Sequence, residues 1–469
     1  MKIAFIVQRY GAEILGGSEY HCRLVAEHIS QGSGHQVEVL TTCAREYTTW
    51  ENAYPEGTDR VRGVTVRRFQ NTKTRDLESF NEYSNWIFNN KHSDAEERDW
   101  LEQQGPWCPG LIDYLQQRHG SYDALIFFTY LYAPTVLGLA VSPQQSILVP
   151  TAHDEPAIRL RIYRDVFSCP AGIAFNTTVE REFLRRLFTI GAKTEEVVGC
   201  GVDLPSFAEF PPEADASAPP PDEEADYADI PDRVRPFASS DRREEESAPA
   251  PVVSLRERGA GFRRRHRLHG PMALYGGRID PGKGCEELVE YFSSYTAEHN
   301  DATLALMGVK LMPIPDVPFI RFAGMLSEIE RLEALEAANV VIVPSPYESL
   351  SLLALESFAV GTPVLVNARS DVLTDHCQRS NAGLYYANRD EFVSCLKLLL
   401  SDADLRDALG RNGREYVRTR YSWDVILKKY DQLLKDVTGD RRGDGGNRAA
   451  RGRRPPRRKS TSGRSPRRR

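Results

Sequence analysis

Two glutamates, Glu348 and Glu356, stand eight residues apart in Ser345-Pro346-Tyr347-Glu348-Ser349-Leu350-Ser351-Leu352-Leu353-Ala354-Leu355-Glu356, directly after the apolar run Val340–Val343. A strand followed by a helix start puts both carboxylates at the carboxyl end of a parallel strand, the edge where open α/β sheets bind ligands. Carboxylates accept hydrogen bonds from sugar and ribose hydroxyls more strongly than neutral side chains do. The backbone N–H groups of Ser349, Leu350, Ser351 and Leu352, with the helix dipole behind them, can hold a diphosphate. A purely structural reading is also open: Ser345 and Glu348 have the spacing of a capping box, and Glu356 fits a solvated helix face. A second loop, Gly276-Gly277-Arg278-Ile279-Asp280-Pro281-Gly282-Lys283-Gly284, ends another apolar run. It sets Arg278 and Lys283 five residues apart on a Gly-rich strand-to-helix turn. Two cations there would stand beside an anion site with close backbone access. Nearer the N-terminus, Gly16-Gly17 opens a helical stretch and His153-Asp154 follows a strand. The two glycines could serve only to start the helix, and the imidazole could be a buried one bonded to backbone.

These residues need βα units to position them, and the chain alternates short β-branched runs with amphipathic stretches in that manner. Strands are predicted at 2–7, 36–42, 64–69, 124–128, 147–151 and 173–176, and again at 272–277, 303–307, 319–322, 340–344, 364–367 and 384–386. Helices are predicted from Gly16, Cys285, Ser327, Ser349 and Asp390. Runs such as Leu125-Ile126-Phe127-Phe128 are apolar on both faces, as in a parallel sheet covered by helices. The fold class is therefore α/β, with two facing Rossmann-like domains and a cleft between them. The predicted organisation is a Rossmann-like domain over 1–207, an acidic, Pro-rich disordered insertion over 208–261, a second Rossmann-like domain over 262–438 and an Arg-rich disordered tail over 439–469. A helical stretch from Leu405 to about Val437 is expected to end at Gly439 and to cross back onto the first domain.

Arg278 and Lys283, the E-x7-E pair Glu348 and Glu356, and the following Gly361-Thr362-Pro363-Val364 together resemble the C-terminal signature of the family-4 retaining glycosyltransferases of the GT-B fold. In the first half Gly16-Gly17, His153-Asp154 and Gly201-Val202-Asp203 are similar to that family's glycine loop, its cleft histidine and the end of its first domain. The resemblance covers about residues 1–207 and 262–438. It implies transfer of a hexose-type sugar, with retention of configuration, from a nucleotide-diphosphate donor bound by the nucleotide-sugar-binding domain over 262–438 to an acceptor on the side of the domain over 1–207. It further implies that Arg278 and Lys283 neutralise the leaving diphosphate, that Gly16, Gly17 and Gly277 lie against the donor, and that Glu356 holds the ribose hydroxyls. Glu348 would face the transferred sugar, and His153 would lie beside the anomeric region. One position departs from the pattern: Ser351 stands where the family often has glycine, which puts the fit of the donor in question. No DxD motif follows a strand, so no metal and no cofactor is expected, the cations doing the ion's charge work.

Composition narrows the remaining classes. The chain has 469 residues, a formal net charge of −6 and 41% hydrophobic residues, enough for two cores. No run approaches the roughly 18 apolar residues of a membrane span. The eight cysteines are scattered without a CxxC pair or zinc spacing, and read as reduced thiols. The N-terminal apolar run is too short for a signal peptide, and a cytoplasmic location is expected. The Arg-rich tail would be drawn to an anionic membrane surface, giving a peripheral position at the inner face and a lipid-linked or glycan acceptor. It lacks interleaved aromatics, which argues against nucleic acid. A nucleotide-sugar epimerase and a catalytically degenerate membrane or nucleic-acid adaptor are the rival readings, and the four charged residues together favour transfer over both.

Overall fold

The structure is a computed structural model that describes residues 1–14, 16–203, 255–299 and 301–450, with the backbone alone over 255–258 and 440–450. The first sheet comprises β1 (Lys2–Ile6), β2 (Gln36–Thr42), β3 (Gly57–Val61), β4 (Val64–Phe69), β5 (Ala124–Phe128), β6 (Ser146–Val149), β7 (Gly172–Phe175) and β8 (Thr194–Val197). The second comprises β9 (Met272–Gly276), β10 (Thr303–Met307), β11 (Ile320–Gly324), β12 (Val340–Val343), β13 (Val364–Asn367) and β14 (Gly383–Tyr386). Strand order is β3-β4-β2-β1-β5-β6-β7-β8 in the first and β11-β10-β9-β12-β13-β14 in the second. Every pairing is parallel except β3 with β4. All residues of β5, β6, β7, β12 and β13 are buried, which is why these runs lack the alternation of a half-exposed strand. This is the GT-B arrangement of two Rossmann-like domains.

Strand order reverses between β1 and β5 in one sheet and between β9 and β12 in the other. Loops leaving the carboxyl ends on either side of such a switch point diverge and open a crevice. The Gly16–Gly17 loop follows β1, the Gly277–Lys283 loop follows β9, and the Ser345–Ser351 loop follows β12. Topology alone thus brings the sequence-predicted loops to one place.

Several boundaries differ from expectation. The helix Leu255–Arg265 starts inside the segment expected to be an unstructured linker. It lies against the helix Glu328–Ala337, with Phe262 fully buried and Arg263 donating to the Ala337 carbonyl at 2.8 Å. The second domain therefore begins before 262, and what remains of the insertion, 208–254, lies outside the described residues. The stretch expected as one helix from Leu405 is two, Ala403–Arg420 and Trp423–Ala450. The second runs past Gly439 into the segment expected to be a disordered tail. A glycine ends a helix by taking positive φ, and Gly439 is not among the positive-φ glycines. Tail residues 451–469 lie outside the described residues.

Residues 423–438 do cross back, packing on β5, β7, β8 and the helix Gly17–Gly32 of the first domain. Ile426, Tyr430, Leu433, Leu434 and Val437, spaced along one helical face, are all buried. At about 2 kcal/mol each, this stripe contributes on the order of 10 kcal/mol to holding the domains together. The crossing is seated by Trp423, whose indole stacks on His28 with centroids 3.6 Å apart and donates to Asp203 at 2.8 Å. The indole also covers Gly201 so closely that a Cβ there would overlap it. Gly201→Ala should therefore destabilise the protein by about 1–3 kcal/mol through overpacking, seen as a lower thermal midpoint in calorimetry.

Candidate active site

A cleft of about 650 Å³ lies between the domains, and Gly16, Gly17, Gly277, Arg278, Lys283, Glu348, Ser351, Leu352 and Glu356 line it. Each reaches it for a local reason. Gly16 is the N-cap of the helix Gly17–Gly32 and has no side chain to cap it. A Cβ at Gly16 would overlap the Glu19 carboxylate, which is held against it by Arg9 at 2.5 Å. Burial pushes the Glu19 carboxyl up, but the Arg9 guanidinium prevails and holds it below the usual range. Gly277 has φ of +138°, a conformation other residues avoid. The turn after it is fixed by Tyr275, whose hydroxyl donates to the Arg278 carbonyl at 2.6 Å, and by Asp280, which accepts from the Lys283 N–H at 3.0 Å.

The charged side chains are paired across the cleft floor. Lys283 Nζ lies 2.7 Å from Glu348 Oε1, so Glu348 does not complete a capping box; Ser345 Oγ instead donates to the Tyr347 carbonyl at 2.8 Å. Glu356 is only 6% exposed, not a solvated helix residue. Burial raises its carboxyl, while Arg331 at 2.7 Å pulls the other way. Arg331 also donates to the Tyr20 hydroxyl at 2.6 Å, joining the domains behind the cleft. The Arg278 guanidinium sits 5.4 Å from the Tyr47 ring centroid and the Arg9 guanidinium 5.5 Å from it, so Tyr47 of the first domain lies between two cations. Buried Arg75 anchors that loop through the Tyr47 and Thr48 carbonyls.

Three predicted residues do not line the cleft. Leu350 is buried in the core, and its carbonyl meets His376 Nε2 at 2.8 Å. Ser349 turns to the first domain, where its hydroxyl meets Asn176 Nδ2 and its carbonyl meets Thr177 Oγ1, both at 3.4 Å. The helix begins at Leu352, three residues later than expected, because Ser351 takes a left-handed conformation at φ 64°, ψ 79°. His153 stands outside the cleft lining, its ring 5.8 Å from that of Tyr347 and its buried Nδ1 without a partner among the described residues. Its loop is held by Glu180, whose carboxylate accepts the Ala152 and Asn176 N–H groups at 2.6 Å each and is pushed by burial up to about 8. Arg9, Glu19, Tyr47, Arg75, Glu180 and Arg331 carry no local motif. Their signal is spatial, and only the ion pairs and the loop contacts reveal them.

The two facing Rossmann-like domains, with charged loops converging at both switch points, define a GT-B protein. Residues 262–416 match the family of glycosyl transferases group 1. An uncharacterised glycosyltransferase of Methanocaldococcus jannaschii is 29% identical over 174 residues, 35% of this chain and 44% of that protein. The chain thus spans less than half the length of that relative. The D-inositol 3-phosphate glycosyltransferase of Saccharomonospora viridis is 28% identical over 344 residues, 69% of this chain and 73% of the relative. Among solved structures, the sucrose-phosphate synthase of Thermosynechococcus elongatus superimposes with a TM-score of 0.63 at 18% identity, covering 94% of this chain and 99% of that one. HepE of Anabaena in complex with UDP-glucose gives 0.61 at 13% identity, covering 94% and 100%.

Two outcomes follow from the geometry. Ser351→Gly relieves a left-handed residue and should stabilise the protein by about 1 kcal/mol, read as a raised thermal midpoint. Arg331→Met leaves the Glu356 carboxylate buried without its cation, at a cost of about 3 kcal/mol near pH 8. A carboxyl whose folded pKa exceeds its unfolded one takes up a proton on folding. The deficit should therefore shrink as pH falls toward 5, measured as the gap between variant and wild-type melting temperatures.

Proposed function

We propose that the chain is a retaining glycosyltransferase that moves a hexose-type sugar from a nucleotide-diphosphate donor to an acceptor hydroxyl without a metal ion. The observation that carries this reading is the meeting of Arg278, Lys283, Glu348 and Glu356 in one interdomain cleft with the N-termini of the helices Gly17–Gly32 and Leu352–Val360. When the anomeric carbon–oxygen bond breaks, its electron pair stays with the β-phosphate and the carbon becomes oxocarbenium-like. Cations fixed beside that phosphate stabilise the transition state more than the ground state. Lys283 and Arg278 are placed for this, together with the uncapped N–H groups behind Gly16. A bound diphosphate competes with Glu348 for the Lys283 ammonium and frees that carboxylate for a sugar hydroxyl. Retention needs no enzymic nucleophile here: the acceptor oxygen attacks from the face the phosphate leaves, and its proton passes to the departing phosphate oxygen. Buried Glu356 suits the ribose hydroxyls. The complex of HepE with UDP-glucose supports a nucleotide-sugar donor.

The test begins with calorimetric and thermal-shift screening of UDP, GDP, ADP and their sugar conjugates in EDTA, since a ligand stabilises the fold it binds. Turnover of the stabilising sugar conjugate is then followed by NMR of the product's anomeric proton. Lys283→Ala and Arg278→Ala should each lower kcat by about 10²–10³, whereas Glu356→Ala should mainly raise the donor KM. Stabilisation by no nucleotide, or full turnover in both cation variants, overturns the reading and leaves the adaptor role.

A further inference from the structure

Tyr47 belongs to the first domain but meets a cation of the second. It sits on the loop that follows β2 and lines the cleft with Arg278. The Arg278 guanidinium lies 5.4 Å from its ring centroid, within the range over which an aromatic face attracts a cation. On its own domain Arg278 is met by Asp280, with Nε 3.5 Å from Oδ2, and its side chain is 43% exposed. A long side chain this open has much rotamer freedom to lose when it is held in one place. The ring that restrains it stands on a loop anchored through its backbone. Buried Arg75 bonds the carbonyls of Tyr47, Thr48 and Thr49. Arg9, whose guanidinium is 5.5 Å from the same ring, is held independently by Glu19 and the Arg45 carbonyl. Removing the Tyr47 ring therefore leaves both the loop anchor and Arg9 in place.

We propose that Tyr47 is a positioning residue that orients Arg278, from across the domain boundary, toward the diphosphate of a bound nucleotide. This rests on the transferase reading, in which Arg278 meets that diphosphate. A cation placed in advance needs no reorganisation when the anion arrives. The other two cleft arginines named above are placed by carboxylates, Arg9 by Glu19 at 2.5 Å and Arg331 by Glu356 at 2.7 Å. A carboxylate at that distance takes up the cation's charge as it fixes it. An uncharged ring fixes the guanidinium and leaves its charge for a ligand. The orientation of a second-domain cation is thereby tied to the placement of a first-domain loop.

UDP, GDP and ADP are titrated calorimetrically into wild type, Tyr47→Ala, Tyr47→Phe, Arg278→Ala and the variant carrying both Tyr47→Ala and Arg278→Ala. The nucleotide that binds wild type should bind Tyr47→Ala about tenfold more weakly, and Tyr47→Phe, which keeps the ring, within about threefold of wild type. With Arg278 already replaced, Tyr47→Ala should weaken binding by less than about twofold, since the ring then has no cation to orient. Tyr47→Leu keeps bulk without an aromatic face; it should behave as Tyr47→Ala does and decides the matter should Tyr47→Ala not fold. Equal weakening with and without Arg278 makes Tyr47 a direct contact or a support of the fold and overturns the positioning role. Wild-type affinity in Tyr47→Ala overturns it as well, while leaving the transferase reading intact. Binding of none of the three nucleotides to wild type overturns that reading, and the positioning role with it.

Discussion

The interdomain cleft has to keep several charges together in a space partly withdrawn from water, and the rest of the structure is arranged around that need. An ion taken from water costs several kcal/mol unless a counter-charge and hydrogen bonds replace the solvent. Glu356, Glu19 and Glu348 each meet that need with a cation, Arg331, Arg9 and Lys283 respectively. Two of these pairs are more enclosed than the third. Arg331 is fixed from two sides by Tyr20 and Glu356, and Arg9 by Glu19 and the Arg45 carbonyl. Lys283 and Glu348 are 29% and 16% exposed, so theirs is the most open of the three pairs.

That arrangement requires the two domains to be held in register, which a covalent connection does not do by itself. Arg23 and Arg62 of the first domain share Glu328 of the second at 2.5 and 2.8 Å, Tyr20 meets Arg331, and the stripe from Ile426 to Val437 is buried on the first sheet. Apolar burial in the crossing helix supplies cohesion, while the ion pairs, sensitive to distance and angle, supply register.

How much is legible in the sequence follows from where each feature's information resides. Apolar strands such as β5 and β12 and the loops after β9 and β12 are local: strand, glycine turn and charge occur within a dozen residues, so the amino-acid order alone is enough to place the site-bearing loops. The edge strands β3, Gly-Thr-Asp-Arg-Val, and β8, Thr-Glu-Glu-Val, carry no apolar alternation because neither has a fully buried residue. The helix Asp371–Ser380 is too polar to stand out, although it is capped by Ser370 and buries Val372, Leu373 and Cys377. The break near Tyr421 has no proline or glycine; it comes from Val202 donating to the Tyr421 carbonyl and from Trp423 seating on Gly201. Arg331 and Tyr47 are illegible for the same reason, since their meaning lies in partners on distant segments.

Ser351 shows where local and global demands conflict. Leu352 must start a helix directed away from the cleft while Leu350 stays in the core under His376, and only a left-handed residue between them makes that turn. Glycine takes such a conformation without penalty, whereas serine is strained by roughly 1 kcal/mol. The serine is 7% exposed, lines the cleft and does not cap the helix it precedes. It shares the cleft lining with Lys283 and stands at the start of a helix that has no side-chain cap. The strain at Ser351 is thus imposed from both sides, by Leu350 held in the core under His376 and by the helix that begins at Leu352.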